Sequence, residues 1–217
     1  MATVSSVPVK CNHCGAIHKV DVYSSINLSQ DPELKDNLRN GSIFVWECPH
    51  CGQSNLVKYP LLYHDPENKV MIWLLPEGSV SEQQISALSS QLEGLDGYVL
   101  RRVEEVGDFI EKIGIFDAGL DDRVIEMCKY VTKMELAEKV GKAKAESIFT
   151  APFKFYRLDG ADNEILLTYP SEGKMEGVNI GFNVYEDCSG IVSRNAAITA
   201  VKGFATVNQT WITSIMR

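Results

Sequence analysis

Two short stretches decide how this chain reads: Cys11-Asn12-His13-Cys14-Gly15 and Cys48-Pro49-His50-Cys51-Gly52. Each is a C-x-x-C followed by glycine. A knuckle of this kind turns tightly enough for both sulfurs to face one ion. Its glycine tolerates positive φ and lets backbone amides point at the thiolates. Two knuckles give four soft ligands, Cys11, Cys14, Cys48 and Cys51, which is the full coordination set of a closed tetrahedral site. The expected cofactor is structural zinc, with no position left open for a reacting ligand. Iron in a rubredoxin-like site would use the same four sulfurs. A redox-active C-x-x-C is a third reading, although such chemistry prefers one motif at a helix start. His13 and His50 lie inside the knuckles and are expected to be exposed.

Working outward, 33 residues separate Cys14 from Cys48. A minimal ribbon spaces its pairs about 15–20 apart, so something is inserted. Asp31-Pro32-Glu33 supplies it: a capping residue, a proline suited to the first helical position and an acid in the first turn. The helix is expected to run through Leu38 and stop at Asn40-Gly41. Flanking strands are expected at Ile17–Tyr23 and Ile43–Glu47. Beyond the second knuckle, Leu56–Tyr63 and Val70–Leu75 read as a hairpin around His64-Asp65-Pro66-Glu67-Asn68-Lys69. After Pro76-Glu77-Gly78-Ser79, a helix opens at Val80-Ser81-Glu82 and extends to about Leu92. A strand follows at Tyr98–Val103 and a helix at Glu104–Ile113. Leu120–Glu146 then reads as one long helix. Its stripe Leu120, Val124, Met127, Val131 and Met134 predicts core packing or a subunit contact. Further on, Lys154–Leu158 and Glu164–Tyr169 form a hairpin, Asn179–Tyr185 a strand, and Asn208 caps a short terminal helix.

The fold class is therefore α+β. A zinc-ribbon-like N-terminal β unit with an inserted helix (1–77) precedes a helix-rich middle segment (78–147) and a small α+β C-terminal segment (148–217). The formal net charge of the 217-residue chain is −8, and none of the three segments is basic. Nucleic-acid binding needs a positive footprint, so it is disfavoured. No basic-then-apolar leader opens the sequence and no long apolar run exists, so neither a signal peptide nor a membrane span is expected. The expected location is the cytoplasm, where thiols stay reduced and bind metal.

At this point the residues resemble a known family, the CpXC-domain proteins of prokaryotes, named for paired C-P-x-C motifs. Cys48-Pro49-His50-Cys51 fits the pattern fully. Cys11-Asn12-His13-Cys14 departs from it by Asn12 in place of proline, which costs rigidity and no ligand. Asn27 to Lys35, Tyr59 to Pro66 and Ile115 to Val124 are similar to the family as well. The resemblance covers residues 8–130. It implies a zinc-ribbon-like domain and supplies no reaction, substrate or partner.

Catalytic candidates are few. His64-Asp65 could form a base pair of side chains, or simply turn the hairpin. Asp117, Asp121 and Asp122 could bind a cation, or cap a helix and complement its dipole. Cys128 sits beside the apolar stripe as a core residue. Cys188 follows Glu186-Asp187, whose charges oppose a thiolate. No phosphate loop, dinucleotide fingerprint or nucleophile elbow is present. The sequence thus reads as a non-enzymatic protein-interaction or scaffold module with no catalytic or cofactor-binding residues. Its partner is another protein or a second copy, with Tyr59, Tyr63 and Trp73 as candidates for the contact surface or for the core. The alternatives are an enzyme of unknown reaction using His64, Asp117, Asp121 and Asp122, and a nucleic-acid-binding ribbon.

Overall fold

A computed structural model describes residues 2–81, 83–87, 97–160 and 163–216. The fold is α+β and forms two compact units. The first contains Met1–Ile110 with Gly203–Ala205, and the second Glu111–Lys202 with Thr206–Arg217. The three segments drawn above follow turn composition along the chain, whereas these units follow contacts in space. Helix α2 (Val106–Asp117) therefore begins in the first unit and ends in the second.

The first unit is built on a mixed five-stranded sheet. Its strands are β1 (Thr3–Lys10), β2 (Ile17–Asn27), β5 (Leu61–Asp65), β6 (Val70–Leu74) and β7 (Val99–Val103), adjacent in that order. A separate two-stranded ribbon pairs β3 (Val45–Glu47) with β4 (Ser54–Leu56). Each knuckle is the tip of an antiparallel hairpin, the first joining β1 to β2 and the second β3 to β4. Between the hairpins, a 3-10 turn at Pro32–Leu34 leads into α1 (Lys35–Asn40). The predicted stop is at Gly41, in the left-handed region at φ 75°. A Cβ there would lie 2.9 Å from Cδ1 of Ile110, so both backbone and packing require glycine.

The helix is an insertion that the core holds. Leu38 and Phe44 are fully buried. Phe44 meets Phe109 edge-on at 5.8 Å, and Phe109 meets Tyr63 likewise at 6.2 Å. Tyr59 ties the two hairpins together. Its hydroxyl accepts from the Tyr23 N–H and donates to the Ile43 carbonyl at 3.0 Å. Tyr59 and Tyr63 are core residues, and Trp73 is half-buried against Phe204. None of the three is exposed contact surface.

Several elements differ from the sequence reading. Of Ile43–Glu47 only Val45–Glu47 is strand, and Val45 is exposed. Leu56–Tyr63 is two strands, because Leu56 ends the ribbon and Leu61 begins the main sheet. Strand β1 escaped the reading because its Val-Ser-Ser-Val-Pro text alternates poorly and contains a proline, which edge strands tolerate. The helix expected from Ser81 is present at residues 83–87, where Ser81 and Gln84 exchange capping hydrogen bonds. Its continuation to Leu92 lies outside the described residues.

The second unit has a three-stranded antiparallel sheet, β8 (Lys154–Asp159), β9 (Glu164–Ser171) and β10 (Lys174–Ile180), with β9 central. The expected helix 120–146 is two helices, α3 (Asp122–Glu138) and α4 (Lys142–Thr150). They part at Gly141, which is extended at φ −67° and ψ 158° and opens α4. The strand expected at Asn179–Tyr185 ends at Ile180. Gly181 then starts α5 (Phe182–Arg194), followed by α6 (Ala196–Thr199) and α7 (Gln209–Met216). Asn208 caps α7 as expected, accepting from the Trp211 amide at 2.9 Å.

The apolar stripe of α3 is core at Leu120, Val124 and Met127 and emerges at Met134. A second stripe, of charges, runs beside it. Asp122, Glu126, Lys129 and Lys133 repeat at spacings of four, three and four, and all are buried. Lys129 bridges Glu111 at 2.5 Å and Glu126 at 2.8 Å. Lys112 meets Asp122 at 2.8 Å, and Lys154 meets Glu111 at 3.1 Å. Glu111 also accepts from the Phe155 amide at 2.6 Å, joining α2 to β8. Burial opposes ionisation of Glu111, but Lys129, Lys154 and Lys112 outweigh it and hold the carboxyl below its ordinary value.

Removing one partner from a buried pair leaves a charge without compensation, so Lys129→Met should destabilise the second unit by about 3–5 kcal/mol in urea unfolding. Because the folded Glu111 value is depressed, its contribution is complete above the ordinary carboxylate value. It should fade as pH falls through the depressed one. An acid titration of the wild type followed by far-UV dichroism checks the direction.

Candidate metal centre

The two knuckles follow the same backbone course. In the first, the Cys11 amide donates to the Ala16 carbonyl at 2.9 Å and the Gly15 amide to the Cys11 carbonyl at 3.0 Å. In the second, Cys48 donates to Gln53 at 3.0 Å and Gly52 to Cys48 at 2.8 Å. Gly15 and Gly52 take φ values of 75° and 68°. These are left-handed positions that glycine fills without strain.

The hairpins bring all four sulfurs together within 4.8 Å of one another, a group that could hold a metal ion. The close pairs cross between knuckles: Cys11 Sγ to Cys51 Sγ is 3.7 Å, and Cys14 Sγ to Cys48 Sγ is 3.8 Å. A tetrahedron with metal–sulfur bonds of about 2.3 Å has edges of about 3.8 Å. The residues present therefore fit a tetrahedral tetrathiolate ion. Cys11 and Cys48 are buried, Cys51 is half-buried and Cys14 is exposed.

The electrostatics also favour a cation. Amides of Cys14 and His13, with the side chain of Asn55, pull Cys11 down to about 6 against the cost of burial. The Gln53 amide favours the thiolate at Cys51, but burial and the three neighbouring thiols push it up to about 12. Cys14 is raised in the same way despite the Ala16 amide. Four thiolates at this spacing repel, and a divalent cation reverses that logic by stabilising all four.

The remaining sequence candidates do not assemble a second site. His13 and His50 are exposed. His64 and Asp65 are consecutive on β5, so they face opposite sides of the sheet. Asp65 is buried and turns the hairpin, accepting from the Asn68 amide at 3.1 Å and from Asn68 Nδ2 at 2.9 Å. His64 Nε2 lies 3.1 Å from the Tyr98 hydroxyl, and burial lowers its pKa. Asp121 caps α3 through the Arg123 amide at 2.8 Å and also binds the Arg123 guanidinium. Asp122 is buried against Lys112, and Asp117 ends α2. Cys128 and Cys188 are buried in one core cluster, with their thiols hydrogen-bonded. Donation from Cys128 lowers Cys188 against burial and the adjacent Asp187, reversing the direction expected from Glu186-Asp187.

One residue of the centre was missed. Asn55 is buried and donates through Nδ2 to Cys11 Sγ at 3.5 Å, while Oδ1 accepts from the Asn12 amide at 2.8 Å. Nothing in its sequence context marks it beyond a position four residues after Cys51.

The model of the CpXC protein family matches residues 9–129, more than half of the chain, and the chain belongs to that family. No curated protein and no solved structure matches it.

If the four sulfurs hold the hairpins together through an ion, Cys48→Ser should remove a buried ligand and lower the melting temperature of the first unit. Because metal binding and folding share one free energy in such sites, the chelator-treated wild type should melt like the variant. Differential scanning calorimetry with and without a strong chelator checks both.

Proposed function

We propose that Cys11, Cys14, Cys48 and Cys51 bind one structural zinc ion, and that this CpXC-family chain is a protein-interaction or scaffold module shaped by it. The observation that carries the reading is the sulfur spacing of 3.7 and 3.8 Å between crossed pairs. It fits a closed tetrahedron in which the protein fills every position. A site closed in this way supplies folding energy and leaves no coordination place for a substrate. Iron is the minority occupant, since the same four sulfurs would accept it. No described helix is long and apolar enough to cross a membrane. The free thiols suit a reducing compartment, for which the cytoplasm is the proposed location.

The interaction surface we assign to the ribbon itself. Val45 and Leu56 are cross-strand partners, and both are about half exposed, at 52% and 51%. Ile17, the first residue after the other knuckle's turn, is 68% exposed. These side chains present apolar surface on the strands that flank the knuckles, which supports a protein partner or a second copy over a nucleic acid.

Freshly purified, reduced protein should contain one zinc per chain by elemental analysis, with little iron when expressed in zinc-replete medium. Substoichiometric zinc plus iron overturns the metal reading. Leu56→Glu should keep that zinc and the wild-type melting profile. It should also abolish self-association in sedimentation velocity, or recovery of whichever protein co-purifies with the wild type from the native host.

A further inference from the structure

The knuckles share a course but differ at their second residue. Asn12 keeps a backbone N–H where Pro49 has none. That N–H donates to Oδ1 of Asn55 at 2.8 Å. Asn55 belongs to the other hairpin, in β4, and is only 5% exposed. Its Nδ2 donates to the Gln53 carbonyl at 2.9 Å and to Cys11 Sγ at 3.5 Å. A single side chain thus holds the backbone of the first knuckle, one of its sulfurs and the exit of the second knuckle.

From these contacts we infer that Asn55 is a positioning residue of the metal centre, locking the first knuckle onto the second hairpin through the amide that Asn12 has and Pro49 lacks. The inference rests on the metal reading above. An N–H···S bond draws charge from the sulfur and favours its thiolate form. The Asn12 amide satisfies the side-chain carbonyl oxygen of the buried Asn55. Proline at position 12 would bring the sequence closer to the family's C-P-x-C pattern. It would nonetheless remove that donor and strand the oxygen, so the usual gain in rigidity turns into a loss.

The other half of the centre shows what happens without the lock. His18 follows Cys14 by four residues, as Asn55 follows Cys51. Pro49 has no amide hydrogen to offer it. His18 packs its ring against Trp46 at 5.6 Å, and its Nε2 is buried with no hydrogen-bond partner among the described residues. The tie is therefore one-sided, and it acts on Cys11 alone among the four ligands.

The test uses the full chain and two probes. Zinc affinity is measured by competition with a chromophoric chelator, and thiolate geometry by the charge-transfer absorption of the cobalt(II) form. Asn55→Ala, and Asn55→Asp, which keeps the acceptor but loses the donor to sulfur, should each weaken zinc binding about 10–100-fold. Both should shift the cobalt–thiolate band. Asn12→Pro should weaken binding comparably, whereas Asn12→Ala, which retains the amide, should bind like the wild type. Asn12→Pro should cost nothing further in an Asn55→Ala background, because the partner is already gone. An Asn55→Ala protein with wild-type affinity and an unshifted band overturns the inference. So does an Asn12→Pro protein that binds as tightly as Asn12→Ala, a comparison that survives any failure of the Asn55 variants to fold. A wild type that binds neither ion overturns the metal reading and this inference with it.

Discussion

Four sulfur atoms drawn from two hairpins meet within 4.8 Å, and the first unit is organised around that meeting. Thiolates this close repel one another, and thiols this close cannot all ionise. A bound divalent cation would convert that repulsion into attraction. The rest of the unit keeps the two hairpins where the four sulfurs meet. Tyr59 joins the second strand of one hairpin to the approach to the other, Asn55 joins knuckle to knuckle, and Leu38 and Phe44 bury the insertion between them. Each is a short-range contact between segments far apart in sequence.

The second unit solves a different problem. Its long helix buries Asp122, Glu126, Lys129 and Lys133, and the facing end of α2 buries Glu111 and Lys112. Charges out of water are costly unless paired with good geometry. Here nearly every one is: Lys129 has two carboxylates, and Glu111 has two ammonium groups and a backbone amide. Lys133 donates to the Ala151 carbonyl, the Phe149 carbonyl and Gln209 Oε1, pinning α3 to the end of α4 and to α7. Burial pulls its pKa down to about 8, while three acceptors around Nζ favour the charged form. One oxygen of Glu126 has no hydrogen-bond partner among the described residues.

Much of this was legible in the linear chain. The knuckles, their glycines, the inserted helix with its stop at Gly41 and the hairpin around Asp65 all follow from local chemistry. Capping residues, positive-φ positions and turn composition act over a few residues. The failures have physical reasons too. The apolar stripe of 120–146 ended at Met134, so the break at Gly141 lay beyond the pattern that supported the helix. The run Leu56–Tyr63 carries Lys58 and Pro60, and the proline hinted at an edge or a bulge, yet nothing local said that its two ends belong to different sheets. The charged stripe on α3 had a clear helical spacing, yet charge at helical period ordinarily marks a solvated face.

By itself, then, the sequence determined the four cysteines as one candidate ligand set, the α+β class and the family, because ligand type and spacing are properties of short segments. Only the tertiary structure decided that sulfurs of the two knuckles meet in one cluster, that Asn55 donates to Cys11, and that Tyr59 and Tyr63 are core. It alone decided that the charges of α3 face inward. Those outcomes depend on which surfaces meet, and burial is a property of the pair of surfaces rather than of either sequence segment alone.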